Sequence, residues 1–364
     1  MKTVIEERRE LPVLYDGYEI VVVGGGIAGV AAALAAAREG KKVLLLERMF
    51  TLGGLATLGL VTIYLPLCDG EGHQVIYGIA EELFRLSISK GWECSYPDTW
   101  LGKEGAKTET SDALGKEDTK TEASDALGKA DAKTETSDAL GKEDTKTETL
   151  DSLGKQDVER ANCGHGNQRF EVRYNAQVFA VLMEQALTQA GVDILYGTSL
   201  CQVIRNGNRV EALIVENKDG RSAIPVKGVV DASGDADVFY LAGAATEQHK
   251  IGNKLAAWYY ETIEGKTKLH MVGASDSPSG SSENEDPDEV GTGRITGLDA
   301  KILSKWLLES HALSLEKFLE KGSVSEAHSF ATMATIPQLR MTRKLAGRYT
   351  LDDTEDHKHF EDSI

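Results

Sequence analysis

Cysteine is scarce in this chain. Only Cys68, Cys94, Cys163 and Cys201 occur among 364 residues, widely spaced and without a Cys-x-x-Cys pair. That spacing argues against a disulfide framework or a zinc ribbon and fits a reducing cytoplasm. Positive charge is in deficit: 40 Lys and Arg stand against 58 Asp and Glu, a net charge of -18. A surface of that sign repels phosphate backbones and anionic bilayers, so neither nucleic acid nor a membrane is expected as a partner. Long apolar runs are also lacking. The nearest approach, Ile20 to Ala37, is broken by Gly24, Gly25 and Gly26 and is mostly alanine beyond them. No cationic segment with a small-residue cleavage site frames it as a targeting signal. What remains is 41% hydrophobic and 27% charged, the balance of a soluble globular protein. The length allows two domains of roughly 100 to 200 residues each.

The apolar run that is not a membrane span reads instead as strand, turn and helix. Glu19 to Val23 is β-branched and apolar, the pattern of a buried strand. Ile27 to Glu39 is alanine-rich and followed by Gly40 at a C-cap position. Lys42 to Glu47 is a second strand-length apolar run ending in an acid, which completes a βαβ unit. Further on, Asn175 can cap a helix to about Gln189, with Gly191 ending it. Ile194 to Tyr196, Leu200 to Ile204, Val210 to Val215 and Ala223 to Val226 are short strand candidates, with Asn206-Gly207 and Asp219-Gly220 as tight turns. They read as a β-meander. Val229 and Val230 form one more buried strand, Gly273 to Gly293 an acidic loop, and Leu298 to Glu309 and Leu313 to Lys321 two helices.

Between Trp100 and Ser152 a thirteen-residue block recurs, marked by Leu-Gly-Lys at Leu101, Leu114, Leu127, Leu140 and Leu153. Each copy offers little apolar surface beyond one Leu and an Ala, too little to offset the lost chain entropy. A solvated, acidic, disordered insertion is expected, with a charged single helix as the alternative. Deleting Leu101 to Leu153 should then leave the melting temperature unchanged.

Gly24, Gly26 and Gly29 form G-x-G-x-x-G at the junction of strand and helix. The first glycine permits a tight turn, the second lets a pyrophosphate approach the backbone, and the third brings helix and strand together. The open N-H groups and positive dipole end of the helix favour an anion there. Glu47, ending the second strand, can accept hydrogen bonds from ribose hydroxyls. These features specify a dinucleotide and do not separate NAD from FAD. Arg48 followed by Gly53-Gly54-Leu55-Ala56-Thr57 adds a second glycine turn and a hydroxyl.

With these segments in view, the chain resembles the FAD-dependent oxidoreductase family of glutathione-reductase-like flavoproteins, which includes relatives of the heterodisulfide reductase A subunit. The likeness rests on Gly24-Gly25-Gly26-Ile27-Ala28-Gly29 with Glu47, on Gly53 to Thr57, on Asp231-Ala232-Ser233-Gly234-Asp235-Ala236-Asp237, and on Ile336-Pro337-Gln338-Leu339-Arg340 with Thr342-Arg343. The order along the chain also agrees. The resemblance implies an α/β fold: a Rossmann-like FAD-binding domain with a β-meander, and a smaller α/β substrate or cap region. It implies FAD as cofactor, bound by Gly24, Gly25, Gly26, Ile27, Ala28, Gly29, Glu47, Arg48, Gly53, Gly54, Ala56, Thr57, Ala232, Ser233, Gly234 and Asp235. Residues 1–99 and 156–246 would form the FAD domain, 100–155 the repeat insertion, and 247–364 the cap. Family members continue into a glycine-rich segment that nothing after Arg343 supplies, so a truncated C-terminus is expected. The scattered cysteines do not offer the clustered thiolates of an iron-sulfur site, and no metal is expected.

The expected activity is hydride or electron transfer between a small organic substrate and FAD in the cytoplasm, with an electron-transfer partner possible. The alternatives are an NAD-dependent dehydrogenase and a truncated, non-catalytic flavin-binding protein. No Ser-His-Asp set is evident, and a flavin needs none. His73, Arg340 and Arg343 are candidate catalytic or substrate-binding groups, and His165, Arg169 and Arg173 stand beside them because arginines suit carboxylate substrates.

Overall fold

The computed structural model describes residues 8–64, 74–90, 172–249, 253, 255–272 and 295–349. The repeat, the acidic loop at 273–293, three of the cysteines, His73, His165 and Arg169 lie outside the described residues. The chain divides into two compact units. One comprises Met1–Ile63, Tyr77–Cys94 and Arg173–Ile364, and the other Tyr64–Ile76 and Ser95–Val172. In the described part of the second, Gln74 is buried and its Nε2 donates to the Ile76 carbonyl at 2.6 Å.

The larger unit begins with β1 (Ile20–Val23), α1 (Ile27–Arg38), β2 (Val43–Leu46), α2 (Gly78–Ile88), α3 (Ala176–Gln189) and β3 (Asp193–Leu195). It continues with β4 (Ser199–Asn206), β5 (Arg209–Asn217), β6 (Gly220–Pro225), β7 (Gly228–Asp231) and α4 (Asp237–Leu241). Four strands form a parallel sheet in the order β3-β2-β1-β7. Ile20 lies opposite Val43 on one side and Gly228 on the other. β1 and β2 read IVVV and VLLL, nearly all buried, as expected for parallel strands covered on both faces. Because side chains alternate along a strand, Val21, Val23, Leu44 and Leu46 share one face. They pack with Val203, Leu213, Val215 and Ile224 of the antiparallel sheet β4-β5-β6. α1 packs on β1, β2 and α3. The result is three layers with the parallel sheet in the middle.

The turns follow the sequence closely. Gly40 adopts φ +72 after the last turn of α1 and Gly191 adopts φ +79 after α3, the left-handed backbone that ends a helix on glycine. Asn175 caps α3 through its side-chain oxygen, which accepts from the Gln177 and Val178 N-H groups at 3.0 and 3.1 Å.

The remainder carries β8 (Thr246–Gln248), β9 (Ala257–Ile263), β10 (Lys266–Val272), α5 (Ala300–Leu319), β11 (His328–Met333) and β12 (Arg343–Leu345). Its three-stranded sheet, ordered β10-β9-β11, is antiparallel throughout and α5 packs on it. The two helices expected between Leu298 and Lys321 are one. Ser310, His311 and Ala312 do not interrupt it, because the Ser314 hydroxyl donates to the Ser310 carbonyl within the helix and Ser310 donates to Ala256. Asp299 caps its start at the Ile302 N-H.

This sheet buries a carboxylate. Glu261 is 1% exposed; its Oε1 accepts from Lys321 Nζ at 3.0 Å and meets His270 Nε2 at 2.5 Å. Burial pushes the Glu261 carboxyl up, but the Lys321 hydrogen bond and the neighbouring cationic groups outweigh it and hold the group below the usual carboxylate range. No described helix is long and apolar enough to cross a membrane.

Candidate functional site

At the C-terminal end of the parallel sheet, β1 turns into α1 through three consecutive glycines whose roles differ. Gly24 adopts φ +104, and a Cβ there would lie 2.3 Å from the Ala232 carbonyl oxygen at the end of β7. A Cβ on Gly29 would lie 1.8 Å from the Gly24 carbonyl oxygen, so helix and turn touch backbone to backbone. At Gly25 it would strike Leu52 at 2.7 Å and the Glu47 carboxylate at 3.0 Å. Gly26 is the exception. Its φ of -67 suits any residue, and a Cβ would meet nothing within 4 Å. Among the described residues no atom explains glycine at this position.

The helix that starts here is open. α1 has no side-chain cap and no acidic residue in its first turn, and Ile27 and Ala28 are exposed. Its first N-H groups have no partner within the helix. Glu47 stands beside the turn, 8% exposed, with Oε2 accepting from the Gly25 N-H at 2.6 Å and Oε1 from the Met49 N-H at 2.7 Å. Each oxygen keeps a second lone pair for a further donor. Nearby, the Tyr196 hydroxyl donates to Glu184 at 2.6 Å. Burial, then Glu184 and Glu47, push its pKa well up.

The second glycine turn docks on the first. Gly53 N-H donates to the Gly25 carbonyl at 2.8 Å, and a Cβ on Gly54 would lie 3.4 Å from the Gly26 Cα. Gly53 and Gly54 have φ of +100 and +53. Thr57 is buried and its hydroxyl donates to the Leu52 carbonyl at 2.5 Å, so it braces this turn from inside. The Tyr174 hydroxyl is shared between the carbonyls of Ala56 and Val61 at 3.0 and 2.8 Å. Nothing local in the sequence marks Tyr174 for that position.

The third segment is likewise tied to itself. Asp231 Oδ1 accepts from the Ser233 hydroxyl at 2.6 Å, and its Oδ2 accepts from the Val238 and Phe239 N-H groups. Ser233 Oγ in turn accepts from the Asp237 N-H. Asp235 accepts from the Thr342 hydroxyl at 2.6 Å. Gly234 carries φ +86 in this turn, and Ala232 lies against Gly24. Arg343 donates to the Asp235 carbonyl and to Asp237 Oδ1, and its guanidinium lies 3.9 Å from the Tyr240 ring centroid. The structure therefore places Arg343 in an ion pair that joins β12 to the 235–237 turn. Asp237 is raised by burial and by Asp235, against the pull of Arg343 and of exposed Arg48.

Arg340 and Arg173 are exposed. The Arg340 N-H donates to Asn253 Oδ1 at 2.7 Å. Asn253 is fully buried and also donates to the Ile295 and Met341 carbonyls. A separate cavity is lined by Leu60, the start of α3, Tyr260, Thr267, Ala331 and Thr332. Among the described residues no group of His, Cys, Asp and Glu could hold a metal ion.

Residues 19–262 match the model of the family described as FAD dependent oxidoreductase. The chain belongs to that family. Its cofactor is FAD, and the open cradle at Gly26, the uncapped helix and the free lone pairs of Glu47 fit a bound pyrophosphate and ribose. A thioredoxin reductase of Ureaplasma parvum serovar 3 is 33% identical over 78 residues, 21% of this chain and 25% of that protein; the match spans a quarter of that relative's length. A geranylgeranyl bacteriochlorophyll reductase-like protein of Thermoplasma acidophilum is 14% identical with a TM-score of 0.41, covering 87% of this chain and 64% of the other. For an L-proline dehydrogenase of P. horikoshii the values are 15%, 0.35, 69% and 60%.

Proposed function

We propose that Gly24 to Gly29 and Glu47 hold the ADP half of FAD in a glutathione-reductase-like arrangement, and that the protein passes a hydride or electrons between a small organic substrate and that cofactor. Gly26 carries the reading. A glycine that neither φ nor any protein neighbour requires is accounted for by an anion lying against its backbone. The α1 N-terminus supplies N-H groups and a partial positive charge to that anion, and Glu47, fixed by two backbone N-H groups, accepts from ribose hydroxyls. Gly53 and Gly54 continue the path toward the flavin side.

When bound, FAD supplies the redox chemistry, accepting two electrons from a donor and passing them on. The chain's own task is placement. The mostly apolar cavity between Leu60 and Tyr260 suits a small substrate; Arg340, which does not line it, is an exposed cation to test separately for a carboxylate. Arg343, held by Asp237, positions the 235–237 turn. The cytoplasm is the compartment that the scattered cysteines fit, and transfer to a second protein is consistent with the acidic net charge of -18.

The test is reconstitution. Purified protein incubated with FAD and freed of excess should retain one flavin per chain, and NAD at tenfold excess should not displace it. The bound flavin should bleach anaerobically with at least one small donor and recover its colour with an acceptor. Protein that stays colourless, or that binds NAD in preference, would refute the assignment of these residues.

A further inference from the structure

The cavity at Leu60 is defined by what its wall lacks. The wall is built from Leu60, the start of α3, and residues of β9, β10 and β11, and no charged side chain contributes to it. The surface facing the cavity is mostly apolar. Several of its polar groups are already satisfied by the protein. Asn175 Oδ1 accepts from the Gln177 and Val178 N-H groups, the Tyr260 hydroxyl pairs with that of Thr62, and the Thr267 hydroxyl lies 3.3 Å from that of Thr262. The Gln177 amide and the Thr332 hydroxyl remain to meet a ligand. Leu60 separates this cavity from an ordinary packing gap. It is a non-glycine residue at φ +56 and only 2% exposed, held there as its N-H donates to Thr57 and the Val61 N-H donates to Leu55. Left-handed backbone at such a residue is strained, and strain of this kind clusters at ligand sites. The turn that sets Gly54 against Gly26 thus ends by presenting Leu60 to the cavity.

We infer that this cavity binds a small, uncharged, mostly apolar organic molecule carrying one hydroxyl or carbonyl group, and excludes carboxylates and ammonium ions of the same size. A charge placed there would lose its hydration and find no counter-charge in the wall. The volume is about 100 Å³. An engineered apolar cavity of ~150 Å³ takes up benzene, so the part of the ligand that enters has about five non-hydrogen atoms. That this molecule is the substrate of the FAD reaction rests on the function proposed above, whereas the binding itself does not.

The test uses three probes of that size: 2-butanone, propionate and n-butylammonium. Each is titrated by ligand-observed NMR against the FAD-loaded protein and the cofactor-free protein. The same titrations are run on Ala331→Trp and Thr332→Trp, which fill the cavity from β11, where Ala331 is exposed and Thr332 half-buried. Far-UV circular dichroism checks the fold of each variant. 2-Butanone should bind wild type with a Kd of about a millimolar, and both ions at least about tenfold more weakly. At least one tryptophan variant should abolish 2-butanone binding while folding as wild type does. Equal binding of an ion, no binding of 2-butanone to wild type, or unchanged binding in both variants would overturn the inference. So would loss of 2-butanone binding when FAD is loaded, since the cavity would then be room that the cofactor itself fills. Protein that takes up no FAD yet binds 2-butanone in the cavity would sink the FAD placement and leave this inference standing.

Discussion

Gly26 and Gly29 lie three residues apart in one motif, yet their alanine variants should fail in opposite ways. In Gly29→Ala the new Cβ would sit 1.8 Å from the Gly24 carbonyl oxygen. The obstacle is backbone, so α1 must move by more than an ångström relative to β1. Forcing extra volume into a packed site costs about 1–3 kcal/mol even where side chains can adjust. Here nothing adjustable stands in the way, and a loss of at least about 3 kcal/mol is expected. In Gly26→Ala the Cβ enters open space at a φ of -67. Alanine gains from a less flexible unfolded chain and loses as an N-cap, and the two roughly cancel to within about 1 kcal/mol. Its Cβ would occupy the room that the pyrophosphate needs, so FAD affinity should fall at least tenfold. Urea unfolding of the cofactor-free proteins followed by circular dichroism gives the stabilities, and quenching of flavin fluorescence gives the affinities. If Gly26→Ala binds FAD as wild type does, or is destabilised as much as Gly29→Ala, the division of labour argued for these glycines is wrong.

Arg343→Met removes the ion pair with partly exposed Asp237 and the bond to the Asp235 carbonyl, and should lower stability by about 1–3 kcal/mol in thermal unfolding; loss of turnover at an unchanged melting temperature would show a direct catalytic role instead. Asn253→Ala strands the Ile295 and Met341 carbonyls and the Arg340 N-H in a buried site, and about 3 kcal/mol or more should be lost, with faster hydrogen exchange at residues 340–341; unchanged exchange would count against the staple. Glu261 has a folded pKa below its unfolded value, so its contribution is fully present above the ordinary glutamate range and is lost as pH falls through the lower folded value. Glu261→Gln should therefore flatten the acid limb of the stability profile, and a variant with the same acid limb as wild type would contradict this.

Much of the parallel sheet is legible in the sequence, because its information is local. β-branched runs, an alanine-rich helix and glycines at its ends place β1, α1 and β2 within a residue or two, and Asn175 marks the start of α3 by a bond to its own next turn. The antiparallel sheet β10-β9-β11 is not legible in the same way. Trp258, Tyr259 and Tyr260 show no two-residue alternation, since strands on both sides and α5 bury neighbouring positions together. The helix expected to stop at Glu309 continues because Ser310 finds its partner in Ala256, far away in sequence. The same limit applies to side chains. Thr57 and Arg343 belong to residue types that suit a site, but Thr57 turns inward to Leu52 and Arg343 pairs with Asp237. Glu47 is legible because strand end, acid and glycine turn come in one short stretch.

The contact of Gly24 with Ala232 also sets a schedule. Everything that marks the motif is synthesised within the first fifty residues, but the wall behind the turn is made by a residue more than two hundred positions from the start. At roughly 5–20 residues per second, about ten seconds or more separate the two on the ribosome. During that interval the nascent chain carries the glycines, the helix and Glu47 without the strand that fixes their spacing. On the proposed placement of FAD over this turn, a cofactor shaped to the finished turn has nothing firm to bind until β7 docks beside β1, so FAD would stabilise the assembled sheet rather than nucleate it.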